Sequence, residues 1–155
     1  MTYLISGLPL TPFQTLFGLD EEALAAHGAV RQTAGATGRY PCRVTLEDAQ
    51  PGETLLQINY QHQDADTPYR SNYAIYVREA ATAPQSFADA LPPVLRNRPI
   101  AVRAFDQAGM LIAGELALAD DVEAAITRQF ANPDAAYLHA HNAAHGCFAA
   151  WIDRA

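Results

Sequence analysis

The 155-residue sequence contains no lysine, and all ten of its basic residues are arginine. Schiff-base catalysis by a lysine and a Walker-type phosphate-binding lysine are therefore both excluded. Serine occurs only at Ser6, Ser71 and Ser86, none of them in a G-x-S-x-G motif, which argues against a serine hydrolase. The two cysteines, Cys42 and Cys147, are too few for a disulfide scaffold, and we expect both to be reduced thiols.

Long apolar runs and excess positive charge are also missing. No apolar run reaches the roughly 20 residues that a membrane-spanning helix needs, and the N-terminal residues lack the basic segment of a signal peptide. The net charge of −7 provides no basic footprint for nucleic acid or anionic membranes. We therefore expect a cytoplasmic protein that binds neither. With no repeat or linker, residues 1–155 are predicted to form one domain.

The pattern of apolar residues predicts two helices and six strands. The first helix follows the N-cap Asp20 and stops at Gly28, and the second begins at Asp120 with Glu123 as its capping-box partner. Residues 80–98 are predicted to form an irregular connection with a short helical turn. The predicted strands are 54–60, 72–79, 100–105, 110–118, 136–142 and 147–153. Hairpin-linked strands indicate an α+β fold, a mainly antiparallel sheet with two or three short helices packed on one face.

Alternation along the strands divides their side chains into an apolar set and a polar set. The apolar set is Leu56, Ile58, Tyr73, Ile75, Val77, Ile100, Val102, Ala104, Ile112, Leu116, Leu138 and Ala140. The polar set is Gln57, Asn59, Tyr76, Arg78, Arg103, Glu115, Tyr137, His139 and His141. Arginine, histidine, tyrosine and asparagine are side chains that bind ligands or exchange protons, so this set predicts a functional face. An ordinary solvent-exposed face is the alternative interpretation.

Two histidines on one strand are candidate catalytic residues and metal ligands. His139 and His141 are two residues apart, so their imidazoles share a face, about 7 Å apart at Cα. This spacing allows both to exchange protons with one ligand or to bind one divalent transition metal. His62, Glu115 or Glu79 would supply a third metal ligand, and the spacing does not choose among them. Histidines that merely bond to neighbouring strands are the alternative.

Cys147 is a candidate thiol nucleophile. His139 or His141 would act as its base, and Asn142 would orient that base. A buried, unreactive thiol is the alternative interpretation. The sequence assigns no partner to Cys42 and leaves open whether it lies near Cys147 in space.

Hairpin register tests the nucleophile hypothesis. A simple four-residue loop pairs Asn142 with Cys147 and Leu138 with Trp151. Directly opposed residues share a face, so this register places Cys147 on the apolar side, away from both histidines. A bulge near Gly146 would reverse that placement.

A polar loop, residues 62–70, joins two strands, and loops at strand ends often carry function. Its arginine, with those on nearby strands, is predicted to frame an anion such as a carboxylate or phosphate, which arginine binds in a bidentate manner. The candidate ligand-binding residues are Arg43, His62, Tyr69, Arg70, Arg78, Arg103 and Asn142. In the alternative interpretation each arginine pairs with a nearby acid such as Glu47, Asp48 or Glu79.

Several short motifs follow one another along the chain. They are Pro41-Cys42-Arg43, Leu46-Glu47-Asp48-Ala49, Pro51-Gly52-Glu53, Tyr60-x-His62-Gln63, Pro68-Tyr69-Arg70, Val77-Arg78-Glu79, His139-x-His141-Asn142 and Gly146-Cys147-Phe148. Together they resemble the uncharacterised bacterial family called domain of unknown function 1203, over nearly the whole chain. The resemblance implies a single domain and a bacterial source, and it implies no activity, cofactor or catalytic residue. His145 is not part of the pattern.

Two functional hypotheses follow from the sequence. In the first, a small-molecule site lies on the polar face, where Arg70, Arg78 and Arg103 bind an anionic group and His139 and His141 perform proton or metal chemistry. In the second, the protein is a non-catalytic interaction module, whose polar face or edge strand docks a partner protein or a second copy of the chain. Homo-oligomerisation is compatible with both hypotheses.

Overall fold

Two antiparallel sheets and three short helices make up the fold. A computed structural model describes residues 2–155, except for the side chain of Ala119. The strands are β1 (Tyr3–Ser6), β2 (Ala29–Thr33), β3 (Thr54–Gln63), β4 (Ser71–Arg78), β5 (Ser86–Ala88), β6 (Ile100–Phe105), β7 (Leu111–Ala117), β8 (Tyr137–Asn142) and β9 (Phe148–Arg154). The helices are α1 (Thr11–Gln14), α2 (Glu21–Ala26) and α3 (Val122–Phe130), and two 3₁₀ turns are formed by Pro93–Leu95 and Ala119–Asp121. The large sheet has the order β5-β1-β9-β8-β6-β7 and the small sheet the order β2-β3-β4, so the predicted α+β class is confirmed.

The two predicted helices are present, with one corrected boundary. The carboxylate of Asp20 accepts a hydrogen bond from the backbone N–H of Ala23 at 2.8 Å and caps α2, as predicted. The predicted N-cap at Asp120 is wrong, because a 3₁₀ turn precedes α3. The residue before α3, Asp121, makes no side-chain cap and instead accepts a bond from Arg128 at 2.7 Å. Within residues 2–155, no helix is long and apolar enough to cross a membrane.

The large sheet is covered on both of its faces. On one face, α3 buries Val122, Ile126 and Phe130 against the apolar side chains of β6, β8 and β9, as their helical spacing predicts. On the other face the small sheet packs, with Ile75 and Val77 of β4 in one cluster with side chains of β9. The strands that the sequence placed in one sheet therefore form two. Of the predicted polar set, only the members on β6 and β8 lie between the two sheets, and His139 and His141 are 0% and 1% exposed. Those on β3 and β4 have the opposite parity to Ile75 and Val77, so they face away from the large sheet.

A β-bulge in the β8–β9 hairpin decides which side chains share the histidine face. Ala140 opposes Ala150, but His141 opposes Phe148, so one extra residue, Ala149, lies in β9. The predicted pairing of Leu138 with Trp151 is therefore wrong. Leu138 opposes Ile152 and His139 opposes Trp151, so Phe148 and Trp151 lie beside the two histidines. The contact between Asn142 and Cys147 is retained, because the Asn142 N–H donates to the Cys147 carbonyl at 3.0 Å.

Three members of the predicted apolar set are exposed, namely Tyr73, Ile112 and Leu116. The last two lie on β7, which is an edge strand of the large sheet. Its opposite parity faces α3, where Glu115 accepts a hydrogen bond from Arg128 Nε at 2.9 Å. The side of β7 that faces α3 carries small residues and the Glu115–Arg128 ion pair. The buried and exposed sides of β7 are therefore the reverse of those predicted.

A close backbone crossing at Gly7 provides a stability test. A Cβ at Gly7 would overlap the carbonyl oxygen of Val44, whereas a Cβ at Gly114, in β7, meets nothing within 4 Å. We expect Gly7→Ala to lower the free energy of unfolding by about 1–3 kcal/mol, since backbone atoms must move apart. The control, Gly114→Ala, should be neutral or more stable by up to about 1 kcal/mol. Urea unfolding measures both, and equal effects would contradict the crossing.

Candidate functional site

Two cavities are lined by eight of the ten predicted site residues, and the other two, His139 and Arg78, line neither. The histidine cavity, of about 240 Å³, is lined by His62, Pro68, Tyr69, Arg70, Ser71, Arg103, Phe105, Leu111 and His141. The cysteine cavity, of about 490 Å³, is lined by Arg39, Pro41, Arg43, Gln57, Tyr73, Ala74, Tyr76, Asn97, Arg98, Pro99, Asn142, Ala143, Ala144, His145 and Cys147. His62, Arg103 and His141 thus line one cavity, and Arg43, Asn142 and Cys147 line the other.

Three histidines meet between the two sheets. His62 comes from β3 and the other two from β8, and the ring of His62 lies 5.1 Å from that of His141 and 6.0 Å from that of His139. His141 Nδ1 hydrogen-bonds with the carbonyl oxygen of Gly146 at 2.9 Å, and His62 Nε2 with the hydroxyl of Ser71 at 3.0 Å. In the described part of the chain, the other ring nitrogens of all three histidines are buried without a hydrogen-bond partner. Buried polar atoms are normally paired, so these four nitrogens indicate room for a ligand or ordered water.

Burial keeps the histidines neutral. The ring of His139 lies 4.6 Å from that of Trp151 and 4.8 Å from that of Phe105, measured between centroids. Burial lowers the pKa of His139 to about 2 and that of His141 to about 3. Burial also lowers the pKa of His62, and the positive charge of Arg103 acts in the same direction on all three rings. Near pH 7 the cluster therefore consists of uncharged imidazoles.

Arg103 is an unpaired cation at this cluster. It lies on β6, directly opposite His139 on β8, and is half-buried. Nine of the ten arginines donate hydrogen bonds to carbonyl, carboxylate or sulfur acceptors in residues 2–155, whereas the side chain of Arg103 has no such bond and no ion pair. A half-buried guanidinium beside neutral histidines gives the histidine cavity a positive potential without a counter-charge.

The loop that closes the histidine cavity is held by Arg70. Its guanidinium donates to the carbonyl oxygens of Asp64 at 3.0 Å and Ala65 at 3.4 Å, and it pairs with Asp66 at 3.6 Å. These bonds fix residues 64–70 at the cavity mouth, where Tyr69 is exposed. The predicted loop residues are thus brought to the histidines by β-strand pairing of β3 with β4.

The metal hypothesis for His139 and His141 remains a prediction. Of the three proposed third ligands, the structure brings only His62 to the pair, because Glu115 bonds to Arg128 and Glu79 to Arg31. Within the described residues, no group of three or more histidine, cysteine, aspartate or glutamate side chains is arranged to hold a metal ion.

The cysteine cavity is organised by Arg43. This residue is 2% exposed and donates to the carbonyl oxygens of Phe148 at 2.8 Å and Pro41 at 2.5 Å, and to Cys147 Sγ at 3.1 Å. Asn142 Nδ2 donates to the same sulfur at 3.4 Å. Burial lowers the pKa of Arg43, and the neighbouring Cys147 opposes that shift. Arg43 and Asn142 therefore contact the cysteine, and neither lines the histidine cavity.

Arg78 lies outside both cavities. It donates to Glu53 at 2.6 Å and to Glu47 at 3.1 Å, so the alternative interpretation of a paired arginine describes it. Arg98 lines the cysteine cavity and was not among the predicted site residues. This arginine lies at the end of the irregular connection, where no periodicity marked it, and it is buried beside Asp48.

Most of the chain matches one known protein family. The family model described as Protein of unknown function (DUF1203) matches residues 39–154. The chain belongs to this family. All residues that line the two cavities fall within the matched segment, whereas β1, β2, α1 and α2 precede it. No curated protein and no solved structure matches the chain significantly.

The neutral histidines predict a pH dependence of stability. A histidine whose pKa is lowered on folding binds protons more readily when unfolded, so stability is complete above about pH 6.5 and is lost as the pH falls towards 3. Between about pH 6.5 and pH 5, each of His139 and His141 should account for on the order of 2 kcal/mol. In urea unfolding, His139→Leu should lose about half as much stability as the wild type when the pH falls over this range. The control His27→Gln, on the surface after α2, should keep all of it, and an unchanged slope in His139→Leu would contradict burial of a neutral ring.

Proposed function

We propose that this protein binds a small anionic molecule in the histidine cavity, with Arg103 as the anchoring cation. The observation that carries the proposal is the unpaired state of Arg103 in the described chain, where every other arginine has an acceptor. Partial burial of an unpaired charge costs free energy, which a stable fold normally offsets with an acid. A carboxylate or phosphate would supply that acceptor with bidentate geometry.

The size and lining of the cavity favour a small acid. Its volume of about 240 Å³ lies below the roughly 300–1,000 Å³ of pockets that take drug-sized ligands. Ser71 and Tyr69 provide hydroxyl groups at the wall, and Arg70 provides a second guanidinium at the mouth. Phosphate or a short carboxylic acid fits these dimensions better than a nucleotide.

The histidines would couple anion binding to protons. An anion beside His62 and His141 opposes the effect of Arg103 and of burial, so it raises the pKa of both rings. His141 Nε2 and His62 Nδ1 have no hydrogen-bond partner among residues 2–155, so once protonated they would be free to donate to a bound acid. The cavity would thus support proton transfer to or from a bound anion, which is the His-based chemistry that the sequence predicted.

The site is tested by replacing its cation. We expect inorganic phosphate or succinate to bind the wild-type protein in isothermal titration calorimetry, and Arg103→Gln to weaken that binding about tenfold or more, since one charge-assisted contact is lost. The control Arg96→Gln removes an exposed arginine that lines neither cavity, and it should bind as the wild type does.

Stability separates this proposal from a structural role for Arg103. Because its guanidinium has no acceptor in the described chain, Arg103→Gln should leave the free energy of unfolding unchanged or raise it. Loss of binding without loss of stability supports the proposal. Equal phosphate and succinate affinities for Arg103→Gln and the wild type, or no binding of either probe by the wild type, would overturn it.

The source, cellular location and partners of the protein are also proposals. Family membership supports a bacterial source, and the acidic composition supports a cytoplasmic protein without nucleic-acid or membrane partners. A small-molecule ligand is the partner that the histidine cavity favours.

Self-association through β7 is a second candidate function. The exposed apolar residues Ile112, Leu116 and Leu118 lie on or next to this edge strand, and exposed apolar edges favour pairing with another strand. Light scattering should then show a dimer that Leu116→Glu dissociates. The control Val30→Glu, on the opposite sheet's edge strand β2, should leave the dimer intact. A wild-type monomer at every concentration would exclude this candidate.

A further inference from the structure

The cysteine cavity contains a buried cation without a carboxylate. Arg43 contacts two backbone carbonyl oxygens and Cys147 Sγ, and no acidic side chain of residues 2–155 pairs with it. A buried guanidinium stays protonated, so its charge must be balanced by groups that it touches. The sulfur of Cys147 is the one contacting side-chain atom, among those described, that can carry negative charge.

Cys147 Sγ is placed for reaction with a small molecule. It accepts hydrogen bonds from Arg43 and Asn142, and both donors stabilise negative charge on sulfur, the form that acts as a nucleophile. Cys147 is 9% exposed and lines the larger of the two cavities. Cys42 differs in each respect. It is 0% exposed, lines neither cavity, and its sulfur accepts only backbone N–H groups, from Thr45 and Arg78.

A second arginine indicates the charge of the molecule that would enter. Arg98 lines the same cavity and is 7% exposed, and its Nε is buried without a hydrogen-bond partner in the described chain. Its Nη2 bonds to Asp48, so the side chain is held in place while one donor stays available. The exposed Arg39 lines the same cavity. The wall around Cys147 is thus positive, and it suits a ligand with carboxylate groups.

We propose that Cys147 is a thiol–disulfide exchange site for a low-molecular-weight disulfide that carries carboxylates. The Cys147 thiolate attacks one sulfur of the disulfide and forms a new S–S bond with that half. The original S–S bond breaks, and the other half leaves as a thiolate with the electron pair. The disulfide is the oxidant, and Arg39 and Arg98 bind the carboxylates of the attached half. A volume of about 490 Å³ accommodates a peptide-sized group.

Oxidised glutathione and cystamine distinguish this site from a generally reactive thiol. The first disulfide carries carboxylates and the second is cationic, and both are added to the native protein, with adducts located by peptide mass spectrometry. We expect one adduct per chain, on Cys147 and not on Cys42, and none in Cys147→Ser. Relative to the urea-unfolded chain, the folded protein should favour oxidised glutathione over cystamine by about tenfold, because the cavity wall is positive.

Two matched arginine variants test the proposed binding wall. Arg39→Gln should slow the reaction with oxidised glutathione a few-fold and leave the cystamine rate unchanged, since Arg39 is exposed and lines the cavity. Arg96→Gln should alter neither rate. Equal rates at Cys42 and Cys147, modification only after unfolding, or the same disulfide preference in folded and unfolded chains would overturn the proposal.

Discussion

The packing of the small sheet onto the histidine face of the large one is the constraint on which the other features depend. Tyr60 and Ile58 of β3 pack with Trp151 and Phe148 of β9, and Gln63 donates to the Tyr137 hydroxyl across the same interface. This contact removes water from a layer that would otherwise be a polar sheet surface. Every titratable group in the layer therefore has to be neutral, paired or available to a ligand.

The two cavities meet this constraint in different ways. Near the histidines the protein removes charge, because burial keeps three imidazoles neutral. Two arginines line this cavity, and one of them, Arg103, has no acceptor among residues 2–155. Around Cys147 it retains charge, because Arg43 is fully enclosed and bonded to carbonyl oxygens and to sulfur. The first environment is suited to reversible binding of an acid, and the second to stabilising an anionic sulfur.

Local patterns predicted much of the fold but less of the site. Val122, Ile126 and Phe130 are spaced four residues apart, so helical geometry alone places them on one face, and the structure buries that face. His139 of β8 and Arg103 of β6, which lie directly opposite each other, were also assigned correctly to one face. Whether His62 lies near these residues was left open. Its strand belongs to a different sheet, and the spacing of residues along the chain does not show how two sheets pack. The capping interaction expected at Asp120 is absent because a 3₁₀ turn precedes α3. The residue at the N-cap position, Asp121, is bound by Arg128, about two turns further along the helix.

By itself the sequence determined the α+β class, the hairpins, the family and the kinds of side chain available for chemistry. These properties follow from composition, short motifs and periodicities of two and 3.6 residues, which are local. Only the tertiary structure decided that His62 joins His139, that Arg43 and Asn142 contact Cys147, and that Arg103 has no partner in the described chain while Arg78 has two. The first two of these outcomes depend on how residues distant in the sequence pack against β8 and β9. Such long-range packing is set by the sum of many weak contacts, which no single segment of the chain encodes.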